Sequence, residues 1–220
     1  MPRLAMNPEI ARKIEETKVI AVLVVDKVEH VYPLADALLS GGIDTIELTL
    51  RTDAALEAAK TIKKDYPNIC LGMGTVLTVE QVKAVADLDV DFAVAPGCNP
   101  RVIEAALKHN LSFGPGVMTP SDIELAVELE CRVLKYFPAE SSGGLSHLKN
   151  MSSPYMHLGL KFIPLGGINI NNAGDYLGSP LVSALGGSWI AKREMILGEE
   201  WEKITGNARA IRELISRQGD

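Results

Sequence analysis

The chain has 220 residues, of which 47% are hydrophobic and 23% charged, and a net charge of −6. That is the material of one domain with a sizeable core, and it excludes collagen-like, disulfide-scaffold and disordered chains. The acidic balance also argues against a general nucleic-acid binder, which needs clustered Lys and Arg to neutralise phosphates.

Asn7-Pro8-Glu9 opens a short helix: a polar cap followed by a proline suits a first turn. The first apolar run, Val19 to Val25, lies between Lys18 and Asp26. It is too short for a membrane span, which takes about 20 residues, or for a secretion signal. Seven further β-rich runs follow: Thr45 to Leu50, Cys70 to Val76, Phe92 to Pro96, Ser112 to Val117, Arg132 to Phe137, Lys161 to Gly166 and Leu181 to Leu185. Helix starts stand between them at Thr78-Val79-Glu80, Asn99-Pro100 and Thr119-Pro120-Ser121-Asp122. A weaker helical stretch spans Asn171 to Leu177, and Glu199 to Arg217 closes the chain with Trp201, Ile204, Ala208, Ile211 and Ile215 on one face.

This alternation is the pattern of parallel β/α construction. Eight units of under about 30 residues each predict a single (β/α)₈ TIM barrel over residues 1–220, with an extra N-terminal helix. An open doubly wound sheet is the competing architecture, disfavoured by the lack of a glycine-rich turn after the first strand. In both, ligands are expected at the C-terminal ends of the strands.

Four features carry candidate chemistry. Side chains alternate along a strand, so in Ile46-Glu47-Leu48-Thr49-Leu50-Arg51 the polar set shares one side, and outer helices would take the apolar set. Glu47 and Arg51 are then expected inside, unless this strand merely turns a polar face to water. Lys135 stands within the apolar run Arg132 to Phe137. It is either a snorkelling surface lysine or a desolvated amine; an exposed lysine is almost wholly protonated at pH 7, and only a neutral amine attacks a carbonyl. Gly166-Gly167-Ile168 and Gly186-Gly187-Ser188 end the last two runs, as tight turns or as a backbone cradle for phosphate. Gly72-Met73-Gly74-Thr75 ends the third run and does not match a dinucleotide fingerprint.

Cys70, Cys98 and Cys131 are odd in number and set in apolar stretches, which reads as buried, reduced thiols in a cytoplasmic protein. His30, His109, His147 and His157 show no metal-ligand spacing with them or with one another, so no metal is expected.

In combination these segments resemble the 2-keto-3-deoxy-6-phosphogluconate (KDPG) aldolase family, which includes 4-hydroxy-2-oxoglutarate (KHG) aldolases. The matching stretches are Glu47-Leu-Thr-Leu-Arg-Thr52, Gly72-Met-Gly-Thr-Val76, Ala95-Pro-Gly97, Pro115-Gly-Val117, Leu134-Lys-Tyr-Phe-Pro-Ala-Glu140, Gly166-Gly-Ile168 and Gly186-Gly-Ser-Trp189. The resemblance implies a class I aldolase that cleaves a 2-keto acid to pyruvate and an aldehyde without a cofactor or metal, and a homotrimer. It implies that Lys135 forms the Schiff base and that Glu47 is the general acid and base. Arg51 and Thr75 would hold the substrate carboxylate, Pro96 and Phe137 line the pyruvate end, and Gly166, Gly167, Gly187 and Ser188 receive a phosphate. The chain departs from the family pattern at Leu165, where threonine is common; that position bears on C4 stereochemistry and on preference for phosphorylated substrates. The rival readings are a phosphosugar isomerase or epimerase, with Glu47 moving protons and no covalent step, and a non-catalytic barrel that binds a phosphorylated metabolite.

Overall fold

The computed structural model describes residues 5–218. Asn7 caps α1 (Pro8–Thr17): its side-chain oxygen accepts from the Glu9 amide at 2.8 Å, and Pro8 sits where a missing N–H costs nothing. Strands and helices then alternate as β1 (Val19–Leu23), α2 (Val31–Ser40), β2 (Thr45–Thr49), α3 (Ala55–Asp65), β3 (Cys70–Gly74), α4 (Val79–Ala86), β4 (Phe92–Val94) and α5 (Pro100–Lys108). The second half runs β5 (Phe113–Gly114), β6 (Gly116–Val117), α6 (Pro120–Glu128), β7 (Val133–Tyr136), α7 (Gly144–Ser152), β8 (Lys161–Pro164), α8 (Ala173–Leu177), β9 (Leu185–Gly187), α9 (Arg193–Leu197) and α10 (Trp201–Gln218). Thr78 and Thr119 each accept at 3.2 Å from the amide three residues on, and the Gln81 and Asp122 side chains bond back, so α4 and α6 begin in reciprocal capping boxes.

All pairings among the described strands are parallel. A six-stranded sheet, ordered β5-β4-β3-β2-β1-β9, forms a half-barrel, and a three-stranded sheet is ordered β6-β7-β8. The fifth predicted run is thus split between the sheets at Pro115, which has no N–H to give to a ladder, although its carbonyl accepts from the Lys135 amide at 2.8 Å. The last run also differs from expectation. Residues 181–183 bond to β8, with the Phe162 amide donating to the Leu181 carbonyl and the Ser183 amide to the Phe162 carbonyl; pairing with β1 starts only at Leu185. Bridges between Phe162 and Val182 and between Leu165 and Gly186 tie β8 to the chain around β9.

The strands bury both faces, as parallel strands flanked by helices must. Outward residues such as Val19, Ala21, Ile46, Leu48, Leu71 and Met73 pack against the helices in one core cluster. Inward residues Ile20, Cys70, Phe92, Val94, Val133 and Ile163 form a second cluster with Met6 and Ile14. α1 therefore covers the N-terminal end of the interior, held by Lys13 to Asp44 at 2.6 Å and by Arg212 to the Thr17 carbonyl at 2.7 Å. The opposite end, where the strands run out, is left for a site.

Candidate active site

On β2, Ile46 and Leu48 face the helices, and Glu47 and Thr49 are buried on the other side, as alternation requires. On β7, Leu134 and Tyr136 point outward, which turns Lys135 inward; it is 6% exposed, so the snorkelling alternative does not hold. The two inward side chains meet. Lys135 Nζ lies 3.0 Å from Glu47 Oε1 and 3.3 Å from Oε2, across 88 residues of sequence and between the two sheets. Gly74 leaves the space for this contact: a Cβ there would stand 1.9 Å from Glu47 Oε1. The Phe137 ring centroid lies 5.9 Å from Lys135 Nζ, and Thr49 donates to the Leu23 carbonyl at 3.0 Å, bracing β2 against β1.

Three of the other expected residues stand just beyond the C-terminal ends of β2, β3 and β4. Thr75 follows β3 with φ +61, a backbone state that costs a β-branched residue on the order of 1–3 kcal/mol and that clusters at functional sites. Pro96 is half-buried just after β4. Arg51 departs from the simple strand expectation: β2 ends at Thr49, the Arg51 amide turns back to the Thr49 carbonyl at 2.8 Å, and the side chain is exposed at the mouth rather than inside.

At the ends of β8 and β9 the two glycine pairs stand side by side, because Leu165 bridges Gly186. Gly166 and Gly167 have φ +103 and +79, which an L side chain adopts only with strain. The turn is shaped by Asn172, whose side chain accepts from the Asn169 amide at 2.8 Å and donates to the Gly167 carbonyl at 3.3 Å. Gly187 is buried and Ser188 exposed. Leu165 is 8% exposed and fills the space a Gly186 side chain would take, with its Cδ1 2.4 Å from the position of a Cβ there.

Sequence reasoning passed over two residues at this end. Glu140 lies against Gly167, and Tyr176 on α8 donates to its carboxylate. Burial, and then that hydrogen bond, push the Tyr176 phenol above its ordinary range and keep it a donor. Glu140 closes one of the stretches quoted above, but nothing in its neighbours' pattern signals a partner 36 residues away.

The cysteines are free. Burial pushes Cys70 and Cys131 up to about 12 and half-buried Cys98 up to about 11, leaving poorly nucleophilic thiols. Among the described residues, no three of His, Cys, Asp or Glu gather as metal ligands, and no helix is long and apolar enough to cross a membrane.

Comparisons with known proteins identify the family. The 2-dehydro-3-deoxy-phosphogluconate aldolase of Haemophilus influenzae is 37% identical over 207 residues, 94% of this chain and 95% of its own. Among solved structures, the KDPG aldolase of Legionella pneumophila, with pyruvate captured as a covalent carbinolamine intermediate, superposes with a TM-score of 0.87 at 35% identity, covering 92% of this chain and 97% of that one. The 2-keto-3-deoxy-6-phosphogluconate aldolase of Zymomonas mobilis ZM4, with 3-phosphoglycerate, gives 0.83 at 34% identity, covering 92% and 94%. The family model described as KDPG and KHG aldolase matches residues 10–207, and the chain belongs to that aldolase family.

Proposed function

We propose that this chain is a class I aldolase that cleaves 2-keto-3-deoxy-6-phosphogluconate, or a related 2-keto-4-hydroxy acid, to pyruvate and an aldehyde, within a closed (β/α)₈ barrel. One observation carries the reading: a buried amine in direct contact with a buried carboxylate, 3.0 Å apart, on the inward faces of β7 and β2. The carbinolamine in the Legionella relative and the 3-phosphoglycerate in the Zymomonas relative support the covalent step and an anion subsite. Closure of the barrel is supported by the shared chain at Pro115 on one side and, on the other, by the bridges from Phe162 to Val182 and from Leu165 to Gly186, which tie the chain around β8 to the chain around β9.

In the cleavage direction, Glu47 takes a proton from the Lys135 ammonium, and the nitrogen lone pair attacks the C2 ketone. A second proton passes from that nitrogen to the ketone oxygen to give the neutral carbinolamine; Glu47 then returns its proton to this hydroxyl, which leaves as water, and an iminium forms. The Glu47 carboxylate then accepts the proton of the C4 hydroxyl; the C3–C4 bond breaks and its electrons pass into the iminium, releasing the aldehyde and leaving an enamine. Glu47 protonates C3, and water hydrolyses the adduct to pyruvate. Arg51 at the mouth and Thr75 would hold the substrate carboxylate by charge-assisted and hydroxyl hydrogen bonds. Pro96 and Phe137 bound the pyruvate end. The amides of Gly166, Gly167 and Gly187, with the Ser188 hydroxyl, would take the phosphate. Leu165 offers the sugar hydroxyls contact but no hydrogen bond, which assigns it to specificity. The reading extends to a homotrimer, supported by the family resemblance and testable by sedimentation, in the cytoplasm, supported by the three free cysteines.

The test is borohydride trapping with pyruvate. Wild type should gain one adduct, on the peptide carrying Lys135, and Lys135→Ala none. An adduct retained by that variant rejects the assignment, and a wild type insensitive to borohydride returns the epimerase reading. Glu47→Gln should still trap pyruvate while cleavage falls by roughly 10²–10⁴-fold, the usual worth of a general acid–base; near-normal turnover removes Glu47 from the mechanism.

A further inference from the structure

We infer that Glu140 and Tyr176 form a positioning pair that fixes the glycine turn at the phosphate end of the site, an inference that rests on the aldolase reading above. Neither residue touches the reacting atoms. The loop after β7 is laddered to the turn after β8: the Ala139 amide donates to the Leu165 carbonyl at 2.8 Å and the Glu140 amide to the Gly166 carbonyl at 3.0 Å. The Glu140 side chain then runs flat over Gly167, its Cβ 2.6 Å from where a Gly167 Cβ would stand, and its Oε1 lies 3.0 Å from where a Gly144 side chain would begin. Both glycines have positive φ, so two turns are shaped around one side chain, Gly167 against its Cβ and Cγ and Gly144 against its carboxylate. Tyr176, 2% exposed, donates to that carboxylate from α8. On the Gly144 side, the Gly144 carbonyl accepts from the Tyr136 hydroxyl at 3.2 Å, and Tyr136 is Lys135's neighbour on β7. The strand that carries the lysine and the turn that would carry the anion are thus braced through Glu140.

The placement matters because of charge. A carboxylate beside an anion cradle repels a phosphate unless it is turned away and its charge is bound. The Tyr176 hydroxyl holds the Glu140 carboxylate on the Gly144 side. Without it, the carboxylate can swing over Gly167, where a phosphate would come. The effect is therefore confined to phosphorylated substrates and to their binding.

The experiment compares KM and kcat for a phosphorylated 2-keto-3-deoxy acid and its unphosphorylated counterpart in wild type, Tyr176→Phe, Glu140→Ala and Glu140→Gln. Tyr176→Phe, which frees the carboxylate to swing over Gly167, and Glu140→Ala, which strips the Cγ packing and the Tyr176 hydrogen bond from the Gly167 turn, should each raise KM for the phosphorylated substrate by about tenfold, with kcat and both constants for the unphosphorylated substrate within about twofold. Glu140→Gln, whose amide oxygen still accepts from Tyr176, should stay within about threefold of wild type. Equal losses on both substrates would show a merely structural role and overturn the inference, as would an unchanged KM in Tyr176→Phe and Glu140→Ala. Borohydride trapping of pyruvate, run on the same preparations, reads the aldolase assignment separately: loss of trapping in wild type sinks that reading, whereas a normal adduct with no KM effect sinks only the positioning pair.

Discussion

Taking Lys135 and Glu47 out of water costs several kcal/mol for each charge, and their mutual attraction often only breaks even against that loss. An apolar pair of similar volume is commonly as stable or more so, by about 1–4 kcal/mol, while deleting one partner alone destabilises by about 3–5 kcal/mol. If the pair is kept for chemistry, Lys135→Met with Glu47→Leu should unfold at an equal or higher denaturant concentration than wild type, and each single substitution at a lower one, with no trapping or cleavage in the double variant. A double variant less stable than both singles would make the pair a structural bridge. These two residues were legible because each is charged within an apolar run, where alternation has to point it somewhere. Arg51 was placed less well by the same argument, since alternation holds only as far as the strand, and β2 stops two residues short of it.

At the scale of the element, β3 is built to let β2 present its carboxylate. Glu47 pairs in register with Gly72 and Thr49 with Gly74, and it is the absent Gly74 side chain that admits Glu47 Oε1. Gly74→Ala should displace the carboxylate from Lys135, lowering kcat by about 10²-fold, the order expected for a misplacement near 1 Å. Overpacking should cost about 1–3 kcal/mol of stability. Measured together, kcat and the denaturation midpoint decide the matter: an unimpaired kcat would mean that Gly74 does not set the position of Glu47. The sequence showed glycines ending the third strand but not what they face, because a glycine's neighbour across a strand depends on register, which apolar patterning fixes only after pairing is known. Pro115 shows the same limit. One run of residues reads as a single strand, yet a residue without an N–H divides it between two sheets.

For the whole molecule, α1 covers one end of the interior and the reactive groups occupy the other, so the site depends on how the two sheets are held around it. Counting β-rich runs anticipated the alternation of strand and helix along the chain, but not where the last strand would pair, since residues 181–183 answer to β8 and residues 185–187 to β1. Among the described residues two isolated bridges span that seam, and at one of them Leu165 occupies the room left by Gly186. A methyl group at 186 would meet Leu165 Cδ1 at 2.4 Å. Gly186→Ala should therefore cost about 1–3 kcal/mol through overpacking and Leu165→Ala about 2–5 kcal/mol through the cavity it leaves. In the double variant the new methyl group enters the space the leucine vacated, so the combined loss should fall short of the sum by about 0.5–3 kcal/mol, as expected for residues in contact. Chemical denaturation of the four proteins measures this coupling. A double variant whose loss equals the sum would mean that these side chains do not lock β8 to β9, and the closed barrel would lose its support at the seam where the proposed phosphate end is assembled.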